Sequence, residues 1–280
     1  MIWRAREHVL SFPRPVMLMG VLNVTPDSFS DGGQFFDSSR AVERGLQMEA
    51  EGAEILDVGG ESTRPRATPV SEAEELRRVL PVIEKLRAQT SALISIDTMK
   101  PKVAQAAVEA GASVINDVGA NRAGAEMAEV AAETKAGYVL MHMQGTPATM
   151  QDDPAYEDVV GEVTDFFQER RGFLARNGVQ AEQVVLDVGI GFGKTMEHNL
   201  QLIAHHARFA RLGRPMLLGV SRKSFLGRLL NQPVEDRLSG ALACASWAVL
   251  NNVGILRVHD VKETLGAVRT LEALRARVNA

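Results

Sequence analysis

Eight short apolar runs divide this chain, at 16–22, 54–58, 93–96, 113–116, 138–141, 184–186, 216–220 and 255–258, and each ends in a cluster of polar and charged residues. Three to seven residues of near-continuous apolarity, rich in Val, Ile and Leu, suit strands buried on both faces, as in a parallel sheet. Helical patterns lie between the runs. Leu76, Val79, Leu80, Ile83 and Leu86 recur at helical spacing behind a capping box of Ser71 and Glu74, with Pro81 expected to interrupt the helix. Pro101 opens a stretch that buries Val103, Ala107 and Val108 and stops at Gly111. Leu202, Ile203, Ala207 and Ala210 mark another, ending at Gly213. The last runs from a cap at Asp260, with Glu263 three residues on, through Val261, Leu265, Val268 and Leu271.

Strand and helix alternating eight times predict a single α/β domain over residues 1–280, a (β/α)8 TIM barrel with its core at about 15–278. A doubly wound sheet shares the alternation. The count of eight and the lack of a linker favour the barrel.

Composition narrows the partners. The net charge is -4, from 31 Lys+Arg against 35 Asp+Glu, which gives no electrostatic reason to expect nucleic acid or an acidic membrane surface. The single cysteine, Cys244, excludes an internal disulfide, fits a reducing compartment, and sits in an apolar small-residue run as a packing residue. Arg4, Arg6 and Glu7 stand where a leader peptide would need apolar residues, and no run approaches the ~20 apolar residues of a membrane span. The expected location is the cytoplasm.

In a parallel barrel the active site forms at the C-terminal ends of the strands. The first run leads into Asn23, Thr25, Pro26, Asp27, Ser28 and Phe29, and the second into Asp57, Gly59, Gly60, Glu61, Ser62, Thr63, Arg64 and Pro65. The others end at Asp97-Thr98, Asn116-Asp117, His142 to Gly145, Asp187 to Lys194, Ser221-Arg222-Lys223 and Arg257 to Asp260. One such cluster is explained by helix caps and turns. Eight together are not. Asp57, Asp97, Asn116 and Asp187 belong to otherwise apolar strand ends, where an acid is costly to bury unless something pairs with it. A ligand rich in hydrogen-bond donors would do so.

Other chemistries fail on spacing. Gly189, Gly191, Gly193, Lys194 and Thr195 look like a phosphate loop, but that motif needs a glycine five positions before Gly193, where Val188 stands. There is no H-E-x-x-H, no C-x-x-C and no G-x-S-x-G. His198, His205 and His206 fall on or near a helix as surface or packing residues.

Together the strand-end segments resemble the signatures of dihydropteroate synthases. Residues 20–32 resemble the first signature and 57–65 the second. Ser95 to Thr98, Asn116 to Val118, Gly191 to Lys194, Ser221 to Lys223 and Arg257 to Asp260 follow in the family's order, so the likeness covers about residue 15 to the end. Two positions depart: Val188 where the family commonly has Pro, and Arg66 where it commonly has Gly.

The resemblance implies a transferase of folate biosynthesis, the target class of sulfonamides. It condenses (7,8-dihydropterin-6-yl)methyl diphosphate with 4-aminobenzoate. It implies a pterin site of Asp97, Asn116, Val118, Met141, Asp187, Phe192, Lys223 and Arg257, and a diphosphate site of Asn23, Thr63, Arg64, Arg257 and His259. It further implies a 4-aminobenzoate site of Phe29, Thr63, Arg64, Pro65, Ser221 and Lys223. Asn23, Asp97, Asp187, Lys223, Arg257 and His259 would carry the catalysis, with Asn23 contacting Mg2+ and diphosphate leaving in an SN1-like step. A homodimer is the family expectation. Two alternatives stay open: a pterin-binding paralogue without activity, motivated by Val188 and Arg66, and a pterin-dependent methyl-transfer domain, which would not need the Ser-Thr-Arg-Pro and Ser-Arg-Lys segments.

Overall fold

A computed structural model describes residues 1–25, 38–63, 67–119 and 124–278 of the chain; Phe29, Arg64, Pro65 and Arg66 lie outside them. The chain opens with an antiparallel hairpin of β1 (Ile2–Ala5) and β2 (His8–Ser11). Eight strands follow: β3 (Met17–Asn23), β4 (Ile55–Gly59), β5 (Leu93–Asp97), β6 (Val114–Asp117), β7 (Gly137–Met141), β8 (Val184–Asp187), β9 (Met216–Leu218) and β10 (Ile255–Val258). All pair in parallel and close as β10-β3-β4-β5-β6-β7-β8-β9, the expected barrel.

The described helices are α1 (Ser38–Ala50), α2 (Glu72–Arg87), α3 (Pro101–Ala110), α4 (Glu126–Thr134), α5 (Val159–Arg176), α6 (Met196–Ala204), α7 (Ser224–Leu230), α8 (Leu238–Leu250) and α9 (Val261–Val278). Their ends follow local chemistry, with four departures from the sequence expectation. Ser71 accepts from the Glu74 N–H at 3.3 Å, but the Glu74 carboxylate turns to Arg77 and Arg78, so only half of the capping box forms. Helix α2 runs unbroken through Pro81, because Val79, Val82, Ile83 and Leu86 are wholly buried and their packing outweighs one missing backbone bond. Asp260 does not cap α9 with its carboxylate, which pairs with Arg222 instead. The helical stretch expected up to Gly213 divides into α6 and a 3-10 segment, His206–Leu212, and Gly213 ends it at φ +70°.

Strand parity decides what the barrel holds. Met19, Ile55, Leu93, Val114, Val139, Val185, Leu217 and Ile255 form an apolar cluster inside the barrel. Their neighbours Leu18, Leu56, Ile94, Ile115, Tyr138, Leu140, Val184, Leu186, Leu218 and Leu256 belong to the core between strands and helices. Side chains alternate along a strand, so the residue two after each interior hydrophobe also points inward, one layer nearer the C-terminal mouth. Ile55 is followed by Asp57, Leu93 by Ser95 and then Asp97, Val114 by Asn116, Val185 by Asp187, and Ile255 by Arg257. The polar set is stacked on an apolar floor.

The hairpin, which the sequence pattern did not suggest, closes the floor from below. Trp3, Ala5 and Phe12 join the interior cluster, and the Trp3 indole N–H donates to the Gln183 carbonyl at 2.9 Å. Gly137 makes room: a Cβ there would stand 2.9 Å from Ala5 Cβ and 3.0 Å from the Trp3 ring.

Candidate active site

At the centre of the mouth, Arg257 spans two acids. Its Nε donates to Asp57 Oδ2 and a terminal nitrogen to Asp97 Oδ2, each at 2.6 Å. Asn116 Nδ2 donates to the same Asp57 oxygen at 3.0 Å. Asp57, Asp97 and Asn116 are all buried, and Asp57 Oδ1, Asp97 Oδ1 and Ser95 Oγ have no hydrogen-bond partner among the described residues. Buried carboxylate oxygens without donors fit a ligand that brings its own.

Asp187 is placed by its own turn. Its Oδ1 accepts from the Gly189 N–H at 2.8 Å, and Gly189 takes φ +68°. A Cβ at 189 would fall 1.8 Å from the His142 carbonyl oxygen, so only glycine fits. Val188 is fully buried in the outer core, and the turn that presents Asp187 forms with valine at that position. Lys223 donates to the Ile190 carbonyl and holds its ammonium 4.3 Å from the centre of the Phe192 ring. Phe192 packs with Val118, Met141, Met143 and Met150, and with the partly buried Met99, in one apolar wall. The expected wall residues Val118, Met141 and Phe192 are thus together.

Ser221 and His259 meet across β9 and β10: the His259 N–H donates to Ser221 Oγ at 3.2 Å, and the imidazole Nδ1 lies 3.1 Å from that oxygen. Asn23 ends β3 beside Asp97, since a Cβ built on Gly59 would lie 3.8 Å from Asn23 Oδ1 and 3.4 Å from Asp97 Cβ. Thr63 is half-buried in the segment after β4. Two features changed the reading of the site. Asp57, an acid costly to bury, shares Arg257 with Asp97 and so belongs to the site, although it was not among the expected site residues. Arg257, expected on phosphate and ring, has two of its three nitrogens committed to carboxylates.

The charges are set by burial. Burial pushes Asp97 up to about 7; Arg257 opposes it, and the charges of Asp57 and Glu75 add to it. Burial raises Asp187 as well, against Lys223, the Gly189 N–H, Arg257 and Lys194. Burial also lowers Lys223 to about 8, with Asp187 as the main counterweight. For Arg257 burial works against the charged form, but Asp57 and Asp97 outweigh it and hold the guanidinium charged. A pocket of this kind, with acids raised and a lysine lowered by desolvation, marks a functional site more often than a structural one. Among the described residues no three of His, Cys, Asp and Glu converge on a point that would hold a metal.

The chain is similar to known pterin-binding proteins. The profile of the family described as pterin binding enzyme matches residues 19–259. A dihydropteroate synthase of Escherichia coli is 49% identical over 257 residues, 91% of this chain and 90% of that one. The structure of Xanthomonas albilineans dihydropteroate synthase with 4-aminobenzoic acid superposes with a TM-score of 0.91 at 44% identity, covering 98% of both chains. The same organism's enzyme in complex with 7,8-dihydropteroate superposes with a TM-score of 0.89 at 42% identity, covering 99% of both.

Proposed function

The chain belongs to the dihydropteroate synthase family of pterin-binding enzymes, and on that premise we propose how its own residues divide the reaction. The enzyme transfers the pterin-6-ylmethyl group from diphosphate to the amine of 4-aminobenzoate, in folate biosynthesis. The reading rests on one observation: Asp97, Asn116 and Asp187 project from separate strands into one buried layer, with Arg257 and Lys223 against them.

A pterin edge carries an amino group and a ring N–H side by side. Asp187 Oδ2 receives donors from that edge while Oδ1 stays on Gly189. Asp97 Oδ1 and the Asn116 carbonyl oxygen serve the rest of the ring. Lys223 leaves the Ile190 carbonyl to donate to the ring carbonyl and N5, and Met141, Val118 and Phe192 cover the ring faces. Binding the donor-rich edge also relieves the desolvated acids, so ligand affinity and charge balance are coupled.

The diphosphate lies toward Asn23, His259, Thr63 and Arg64. Arg257 contributes through its one remaining nitrogen, because the other two hold Asp57 and Asp97. A single amide oxygen at Asn23 suits magnesium, which takes one or two protein oxygens and completes its shell with water and substrate phosphate. Bound there, Mg2+ would offset the charge that develops on the departing diphosphate. The electron-rich dihydropterin stabilises a cationic CH2, and the path is SN1-like. Ser221, Lys223 and Thr63, with Phe29, Arg64 and Pro65, receive the 4-aminobenzoate.

Two further readings are ours. The enzyme works as a homodimer, with α7 to α9 at its interface: α8 is mostly apolar, its own Trp247 and Leu250 are exposed, and so are Leu229, Leu230 and Val234 in the segment before it. Sedimentation should give a dimer, and Trp247→Asp with Leu250→Asp a monomer. Its place is the cytoplasm, which the lone half-buried Cys244 suits; no helix among the described residues is long and apolar enough to cross a membrane.

The deciding experiment mixes the purified protein with both substrates and Mg2+. Diphosphate and dihydropteroate should appear together. Tight pterin binding by calorimetry without turnover would instead return the inactive paralogue, the reading that Val188 and Arg66 motivate.

A further inference from the structure

Lys194 lies in the segment after β8, and the division of the reaction among the site residues gives it no role. It is 2% exposed, rare for an ammonium. Its three hydrogens meet three acceptors: His142 Nδ1 at 2.9 Å, the Phe192 carbonyl at 3.0 Å and the His142 carbonyl at 3.4 Å. An ammonium has no lone pair, so the first contact assigns His142 the tautomer with its proton on Nε2. The acceptors belong to two loops. His142 follows β7 directly after Met141, and its N–H donates to the Asp187 carbonyl at 2.9 Å. Phe192 belongs to the loop after β8. Both loops supply the apolar wall, Met143 and Met150 from one and Phe192 from the other.

The neighbouring carbonyls are held in the same way. Gln151 Nε2 donates to the Gly191 oxygen and the Tyr156 hydroxyl to the Gly193 oxygen, each at 2.8 Å. Three consecutive carbonyls, 191 to 193, therefore each take a side-chain donor. Those of Gln151 and Tyr156 come from the loop after β7, whereas Lys194 reaches back from its own loop and bridges to His142. Of the three donors only Lys194 is charged. Asp187 is faced by Lys223 from the loop after β9, by Arg257 from β10, by Lys194 from its own loop, and by the Gly189 N–H.

We propose that Lys194 is a positioning residue for the pterin ring: it pins the post-β7 and post-β8 loops together behind the ring slot and supplies a buried positive charge behind Asp187. This rests on the pterin reading of the site. It makes Lys194 necessary to the pterin half-reaction and not to 4-aminobenzoate. Its own charge lowers the Asp187 carboxyl, so removing the charge should raise it.

The test uses Lys194→Met, which keeps the unbranched stem but not the ammonium, and Lys194→Arg, which keeps the charge. Calorimetry with (7,8-dihydropterin-6-yl)methyl diphosphate should show affinity for Lys194→Met reduced about ten-fold, with the KM for 4-aminobenzoate within two-fold of the parent. The acid limb of its pterin-binding profile should move to higher pH. Lys194→Arg should keep the parent's acid limb and still bind pterin more weakly, because a planar guanidinium cannot meet the same three acceptors. Equal losses for both substrates, or parent-like pterin affinity in a folded variant, would overturn the proposal. Should Lys194→Met fail to fold, Lys194→Arg decides alone: parent-like affinity overturns the pinning. A parent protein that binds no pterin would instead remove the reading of the site itself.

Discussion

Replacing Asp187 by Asn tests the recognition of the ring with the least disturbance to the fold. Asn has the same size, and the carboxylate it replaces is raised by burial, so losing its charge relieves the unliganded fold and should not lower Tm. The turn still needs an acceptor for the Gly189 N–H, now met by Asp187 Oδ1 at 2.8 Å. If the amide keeps its oxygen there, its NH2 faces the donors of the pterin edge. If it flips to face the pterin with oxygen, NH2 opposes the Gly189 N–H. Either way one donor faces another, at about 1–3 kcal/mol for an unpaired buried group, and a charge-assisted bond becomes a neutral one of about half the strength. A combined loss of about 2–4 kcal/mol weakens pterin binding by ~30- to ~1000-fold. Lys223 loses its main opposing charge and should titrate below its present value of about 8. The assay is calorimetric titration with the pterin diphosphate, with 4-aminobenzoate KM as the internal control. Affinity within two-fold of the parent, in a protein of unchanged Tm, would show that Asp187 does not read the ring.

His206 is 1% exposed, packs edge-on to Phe209 and has no partner for either nitrogen among the described residues, and burial lowers it to about 4. Its stabilising share is present above pH 6.5 and is lost as pH falls toward 4, about 3 kcal/mol in all at ~1.4 kcal/mol per unit. His206→Phe should remove much of that acid loss in melts at pH 7 and pH 4.5, and an unchanged difference between the two would refute the account. Arg257→Met leaves Asp57 and Asp97 buried without their cation and should cost about 3–5 kcal/mol, or roughly 10 °C in Tm. Because the acids are then neutralised by protons, that loss should shrink at pH 5, which calorimetry at the two pH values would read. Chelation by EDTA should abolish diphosphate release yet leave Tm within a degree, since among the described residues no acid cluster depends on a metal; a large drop in Tm would mean a structural ion.

The order of elements, and with it the barrel, was readable because a strand buried on both faces leaves an apolar run and a helix leaves a 3.6-residue stripe. The depth of the site was readable too, once parity was applied. Asp57, Asp97, Asn116, Asp187 and Arg257 each stand two or four places beyond an interior hydrophobe. Side-chain partners are another matter, because they depend on the closed sheet. Arg257 lies 200 positions from Asp57 and 160 from Asp97, and no local pattern says which of three acids it clamps or that one clamp takes two of them. The hairpin of Trp3 was missed because four-residue strands of alternating burial, broken by Arg4 and Arg6, leave no apolar run. Lys194 was missed for a reason of its own. A lysine beside glycines reads as a solvated loop or a phosphate contact, and only the two loops it joins make burying its charge tolerable. A site residue that binds substrate carries a chemical signature in its type, whereas one that holds the binding residues in place shows itself only through its neighbours in three dimensions.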